Sequence, residues 1–124
     1  MILYAAFGGA IGAAARYSVK VTTLKLFGHG FPWGTVIVNV TGSFIMGVLI
    51  AIMSHAWTTS QEMRVFLTTG ILGGFTTFSA FSLDFVALYE RKEYALAFAY
   101  AGGSVVLSLA AVFAGLYLAR TVFQ

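Results

Sequence analysis

The sequence predicts an all-α integral membrane protein with four transmembrane helices per chain. Two observations carry that expectation. Of 124 residues, 60% are hydrophobic and only 9% charged, and three long windows (residues 30–54, 65–83 and 94–119) hold no Asp, Glu, Lys, Arg or His. A helical crossing needs about 20 apolar residues, so each window can span a bilayer, and the length leaves room for four crossings with short connections. A soluble domain of 13.3 kDa has too little interior to hide this much apolar surface, which argues against an aqueous enzyme core.

The spans are expected at residues 2–25, 32–53, 62–89 and 94–120. The first is apolar only to Ala15, so its helix must run on through Arg16 towards Lys20 to reach across. It lacks the basic opening of a signal peptide. Gly28, Gly30 and Pro32 mark the first connection, a polar stretch from Ser54 to Gln61 the second, and Glu90-Arg91-Lys92-Glu93 the third. The chain has no cysteine, which excludes disulfides and thiol chemistry. Its net charge of +3 is dispersed around the span ends rather than gathered in a patch, so nucleic acid is not an expected partner.

With four crossings, Arg64 and Arg120 fall on one side, and Lys20, Lys25, Arg91 and Lys92 on the other. Lys20 lies close enough to the lipid-facing end of its helix to make the balance nearly even, so the positive-inside rule orients the chain weakly. A small chain that inserts both ways can pair with an inverted copy of itself, and an antiparallel, dual-topology homodimer is the expected assembly.

Polar side chains inside the spans form stripes. Thr35, Asn39 and Ser43 recur at every fourth residue of span two, and Tyr100, Ser104 and Ser108 do the same in span four. Each stripe is either hydrogen-bonding glue between helices or a ladder of donors for a passing ion. In span three, paired glycines at Gly73 and Gly74 precede the adjacent threonines Thr76 and Thr77, which predicts a break in the middle of the membrane; the alternative is a continuous helix packed closely through Gly70 and Gly74. Beyond it, Phe78, Phe81 and Phe85 share a face, and ring edges there can stabilise an anion without a fixed charge. Arg16 either snorkels to the interface or lends positive potential to an anion entrance, Asp84 is expected near a span end, and His29 and His55 are given no role.

The segment Gly73-Gly74-Phe75-Thr76-Thr77-Phe78-Ser79-Ala80-Phe81-Ser82 resembles the GGxTTFSTFS signature of the Fluc (CrcB-type) bacterial fluoride channels. Supporting matches are Gly8-Gly9, Gly12-Ala13 and Arg16-Tyr17 near the start, and Gly34-Thr35, Asn39 and Gly42-Ser43 in span two. The resemblance runs over essentially the whole chain. It implies a passive, selective fluoride channel in the bacterial inner membrane, not an enzyme, built as a lipid-embedded antiparallel homodimer with two pores and a structural sodium ion at the dimer interface. On the same ground, Gly73 and Thr76 offer backbone carbonyls to sodium, Asn39, Phe78 and Phe81 line the anion pathway with Tyr100, Ser104 and Ser108, Thr35 and Ser79 lie close by, and Arg16 belongs to the vestibule. One position departs: Ala80 stands where the signature usually has threonine, so a hydroxyl is missing. The rival readings are a small multidrug-type cation exporter, which needs a carboxylate deep in a span, and a non-transporting membrane scaffold.

Overall fold

The computed structural model describes residues 1–55 and 58–123, so residues 56 and 57 of the second connection lie outside it. In chain order the elements are α1 (Ile2–Phe27), α2 (Trp33–His55), α3 (Gln61–Arg64), a π-helical run over Val65–Leu72, α4 (Gly73–Phe75), α5 (Ser79–Glu90) and α6 (Tyr94–Phe123). No strand occurs among the described residues. Among the described residues, three segments are long and apolar enough to cross a membrane: Trp33–Ser54, Gln61–Glu90 and Tyr94–Val122. Helix α1 has the length, at 26 residues, but carries Arg16, Lys20 and Lys25 in its second half.

Local chemistry sets the boundaries. Helix α1 stops where Gly28 takes a positive φ of 77° and returns its N–H to the Leu24 carbonyl at 2.9 Å. Helix α3 starts behind Ser60, whose hydroxyl accepts the Met63 N–H at 3.2 Å. Between α5 and α6 the chain reverses with Lys92 in the left-handed region (φ 61°), and the Glu93 N–H closes onto the Leu88 carbonyl at 3.0 Å.

Glycines decide which helices touch. A Cβ at Gly8 would lie 2.7 Å from the Cα of Gly70, one at Gly12 2.8 Å from the Phe75 nitrogen, and one at Gly74 2.6 Å from the Gly9 carbonyl oxygen. Residue numbers rise together on the two partners, so α1 runs parallel to the first half of the third segment with backbones nearly in contact. The same device joins α2 to α6. A Cβ at Gly47 would lie 2.8 Å from the Leu116 nitrogen, and one at Gly115 3.1 Å from the Val48 nitrogen. Small residues let helix backbones approach in lipid, where no hydrophobic force pulls helices together.

The buried core is correspondingly small. Leu88, Ala97 and Tyr100 form a cluster within it, with Phe31, Val36, Phe81 and Phe85 packed around them, and Val38, Ala51, Met53, Leu72 and Ala119 are also buried. Large apolar side chains instead point outward along α1, α2, α5 and α6, from Ile2 at 83% exposed to Phe113 at 66%. That distribution suits lipid as the solvent and is the reverse of a water-soluble chain's.

A broken helix between two cavities

The third segment is interrupted after Phe75. Thr76 leaves the helix with an extended backbone (φ −84°, ψ 158°), and α5 begins three residues later at Ser79. The break and the close glycine packing, set against each other as alternatives in the sequence, therefore coexist: Gly70 and Gly74 lie against α1, and the chain opens just beyond them.

Side chains hold the opened backbone. Asn39 on α2 accepts the Thr77 N–H on its Oδ1 at 2.8 Å and donates from Nδ2 to the Thr77 carbonyl at 3.0 Å. The Thr77 hydroxyl oxygen accepts the Ala80 N–H at 3.1 Å, capping the start of α5, and lies 3.3 Å from Ser79 Oγ. Thr76 keeps both its N–H and its hydroxyl on the Leu72 carbonyl, each at 2.9 Å. No backbone N–H reaches the Gly73 or Thr76 carbonyls outside the regular helical bonds of the described residues.

Two cavities meet at this break, and Thr77 contributes to the walls of both. One, of about 530 Å³, gathers Asn39, Ser43, Phe78, Phe81, Ser104 and Ser108, together with Gly73 and Thr76. Within it Ser104 is buried, and its hydroxyl has no hydrogen-bond partner among the described residues. Such orphaned buried groups are rare and call for a ligand, water or ion. The other cavity, of about 550 Å³, brings together Arg16, Lys20, Thr35, Ser79 and Ala80.

The aromatic side chains form a chain of contacts. Phe78 is 76% exposed and stands 5.5 Å from the half-buried Phe81, whose ring lies 5.1 Å from that of Tyr100. Phe31 meets the other side of Tyr100 edge-on at 5.5 Å.

Three sequence expectations are redrawn by these contacts. Asn39 is not simply a donor facing a pathway, because one of its two amide hydrogens and its oxygen are taken by Thr77. Thr35 and Tyr100 do not offer their hydroxyl hydrogens freely either: both donate to Asp84 Oδ2, at 2.6 Å and 3.1 Å. Asp84 therefore ties α2, α5 and α6 together from within the bundle. The signal that could have found it is its spacing, since Phe81, Asp84 and Leu88 recur three and four residues apart and so share the inward face of α5. Replacing Asp84 with leucine strands two hydroxyls without an acceptor, which costs on the order of 1–3 kcal/mol. A lowered Tm for that variant, partly restored by Asp84→Asn, is the expected result by thermal unfolding in detergent.

The family model described as CrcB-like protein, Camphor Resistance (CrcB), matches residues 3–116. The chain belongs to that family. Among relatives of this CrcB-like chain, the fluoride-specific ion channel FluC of Agrobacterium fabrum is 52% identical over 122 residues, covering 98% of both chains. Proteins of the same name are 56% identical in Cereibacter sphaeroides, over 96% of this chain and 94% of theirs, and 51% identical in Caulobacter sp., over 99% and 97%. Membership in this family together with three apolar spans makes it a multi-pass membrane protein.

Proposed function

We propose that this protein is a passive, fluoride-selective ion channel, not an enzyme, and that it works in the bacterial inner membrane as an antiparallel, dual-topology homodimer with two pores. The family and the full-length relatives named for fluoride support the ion. The observation that carries the pathway is the 530 Å³ cavity lined by Asn39, Phe78, Phe81, Ser104 and Ser108, which holds the orphaned Ser104 hydroxyl and no charged side chain. Fluoride is small and tightly hydrated, so a pore must replace its water with donors and still release it. Neutral hydroxyls, the remaining Asn39 amide hydrogen and the positive edges of Phe78 and Phe81 meet both demands.

Helix α1 serves as the fourth crossing. It runs parallel to an apolar span with backbone contact from Gly8 to Gly12, so it occupies the same depth, and its Arg16 side chain reaches the second cavity. Basic potential there concentrates anions at the mouth without placing a charge in the narrow section. The exposed face bearing Gly73 and Phe78 is where an inverted copy would close the pathway.

A structural sodium ion fits the break. The Gly73 and Thr76 carbonyls are left without N–H partners beyond the helix, both border the same cavity, and two from each subunit would surround a hard monovalent cation with neutral oxygens. The ion would lock the opened backbones of the two copies together.

Efflux from liposomes, read with fluoride and chloride electrodes, tests the function directly. Fast fluoride release without chloride release is expected. Release of neither from folded dimer would favour a scaffold, and uptake of tetraphenylphosphonium driven by a proton gradient would favour an exporter using Asp84. Ala80 borders the cavity that holds Arg16 and Ser79, so restoring the family's hydroxyl adds a donor there. Ala80→Thr is expected to raise fluoride flux about fivefold, the equivalent of one hydrogen bond of about 1 kcal/mol, with Tm unchanged. Equal flux in the two proteins would remove position 80 from the pathway.

A further inference from the structure

In an unbroken helix the Thr77 N–H would bond the Gly73 carbonyl and the Ala80 N–H would bond the Thr76 carbonyl. Here Asn39 Oδ1 takes the first donor, at 2.8 Å, and Thr77 Oγ1 takes the second, at 3.1 Å. The two carbonyls thereby vacated are those of Gly73 and Thr76. Moreover, the Thr76 carbonyl and the Thr77 N–H are opposite edges of one peptide plane, and that bond is trans. By gripping the N–H edge, Asn39 aims the Thr76 carbonyl away from α2. The second bond, from Asn39 Nδ2 to the Thr77 carbonyl at 3.0 Å, pins the following plane as well. Three residues along α2, Gly42 makes room for this approach, since a Cβ there would strike the Thr76 Cγ2.

We infer that Asn39 is the positioning residue of the cation site: it frees the Gly73 carbonyl, orients the Thr76 carbonyl, and so couples the anion pathway to the bound cation through a single peptide plane. This rests on the cation-site reading given above. An asparagine is suited to the task because it offers an acceptor and a donor from one short planar group; aspartate keeps only the acceptor, and leucine, of similar shape, keeps neither. Donation to Oδ1 also polarises the peptide and strengthens its carbonyl as a ligand. Because the same amide borders the anion cavity, whatever shifts Asn39 there must alter cation affinity, and the effect is reciprocal.

The test uses the full-length protein in lipid nanodiscs, with Tm followed as sodium chloride replaces N-methyl-D-glucamine chloride at constant ionic strength. The wild type is expected to show a saturable rise in Tm. Asn39→Ala and Asn39→Leu should each need about tenfold more sodium for half of that rise, while Asn39→Asp, which retains an acceptor for the Thr77 N–H, should stay within roughly threefold of wild type. Should the alanine variant fail to fold, the leucine variant, which preserves volume, carries the comparison. A folded leucine variant with wild-type sodium dependence would overturn the role of Asn39 and leave the cation site standing, as would an aspartate variant as impaired as leucine. A wild type with no sodium-dependent shift would overturn the cation site and this inference with it.

Discussion

Fluoride efflux through the Phe81→Ile variant is expected to fall on the order of 100-fold, with the protein still folded and dimeric by size-exclusion chromatography. Phe81 is held on two sides, by Phe78 at 5.5 Å and by Tyr100 at 5.1 Å, and Tyr100 is itself fixed by its bond to Asp84. The ring is therefore presented to the cavity in one orientation. Isoleucine fills much of the same space but has no positive edge, so an anion in the narrow section loses its partner. The ring edge acts on a full charge in a section from which water is excluded, where electrostatic contacts are worth far more than in water, and 100-fold in rate corresponds to about 2.7 kcal/mol. Wild-type flux from Phe81→Ile would remove the ring edge from the mechanism and leave the hydroxyls to carry the ion alone.

The largest structural effect is expected at Gly12. A side chain there meets the Ile71 carbonyl and the Phe75 nitrogen at 2.8 Å, both backbone atoms that cannot move aside without displacing the helix that carries the break. Gly12→Val should cost about 3 kcal/mol or more, enough to lower Tm sharply and to abolish flux by moving Thr76 and Thr77 away from Asn39. Gly9, three residues earlier on the same helix, has open space where its Cβ would be, so Gly9→Ala should leave Tm nearly unchanged. Equal melting of the two variants would show that the α1 contact with the third segment does not hold the fold.

Much of the fold was legible because lipid imposes simple rules. Long windows free of charge can only be helices crossing or lying within the bilayer, and glycines and threonines clustered in one of them point to irregular backbone. Polar residues at every fourth position mark a face, and the signature around Thr76 and Thr77 identifies the family from residue types alone. Ala80 is likewise visible only against that signature.

Partner choice among those polar groups was not legible. Thr35 and Tyr100 read as ladder rungs, yet both turn to Asp84, a residue that periodicity puts on the inward face of α5 and that the sequence reading puts near a span end. Asn39 read as a free donor, yet it meets a backbone 38 positions away. Gly8, Gly12, Gly47 and Gly115 gave no hint of which helices they join, because a small residue advertises only that something can come close.

By itself the sequence determined the solvent, the helical class, the place of the break and the family, since each depends on residue types within one segment and on the cost of leaving polar groups unpaired in hydrocarbon. Only the tertiary structure decided which groups hold the break open. Asn39, on a different helix, takes the Thr77 N–H, the Thr77 hydroxyl takes the Ala80 N–H, and the Gly73 and Thr76 carbonyls are left open beside the cavity. The Asn39 pairing depends on distances of about 3 Å between segments 38 residues apart in the chain, and hydrogen-bond energy falls away so steeply with distance and angle that no one-dimensional pattern encodes it.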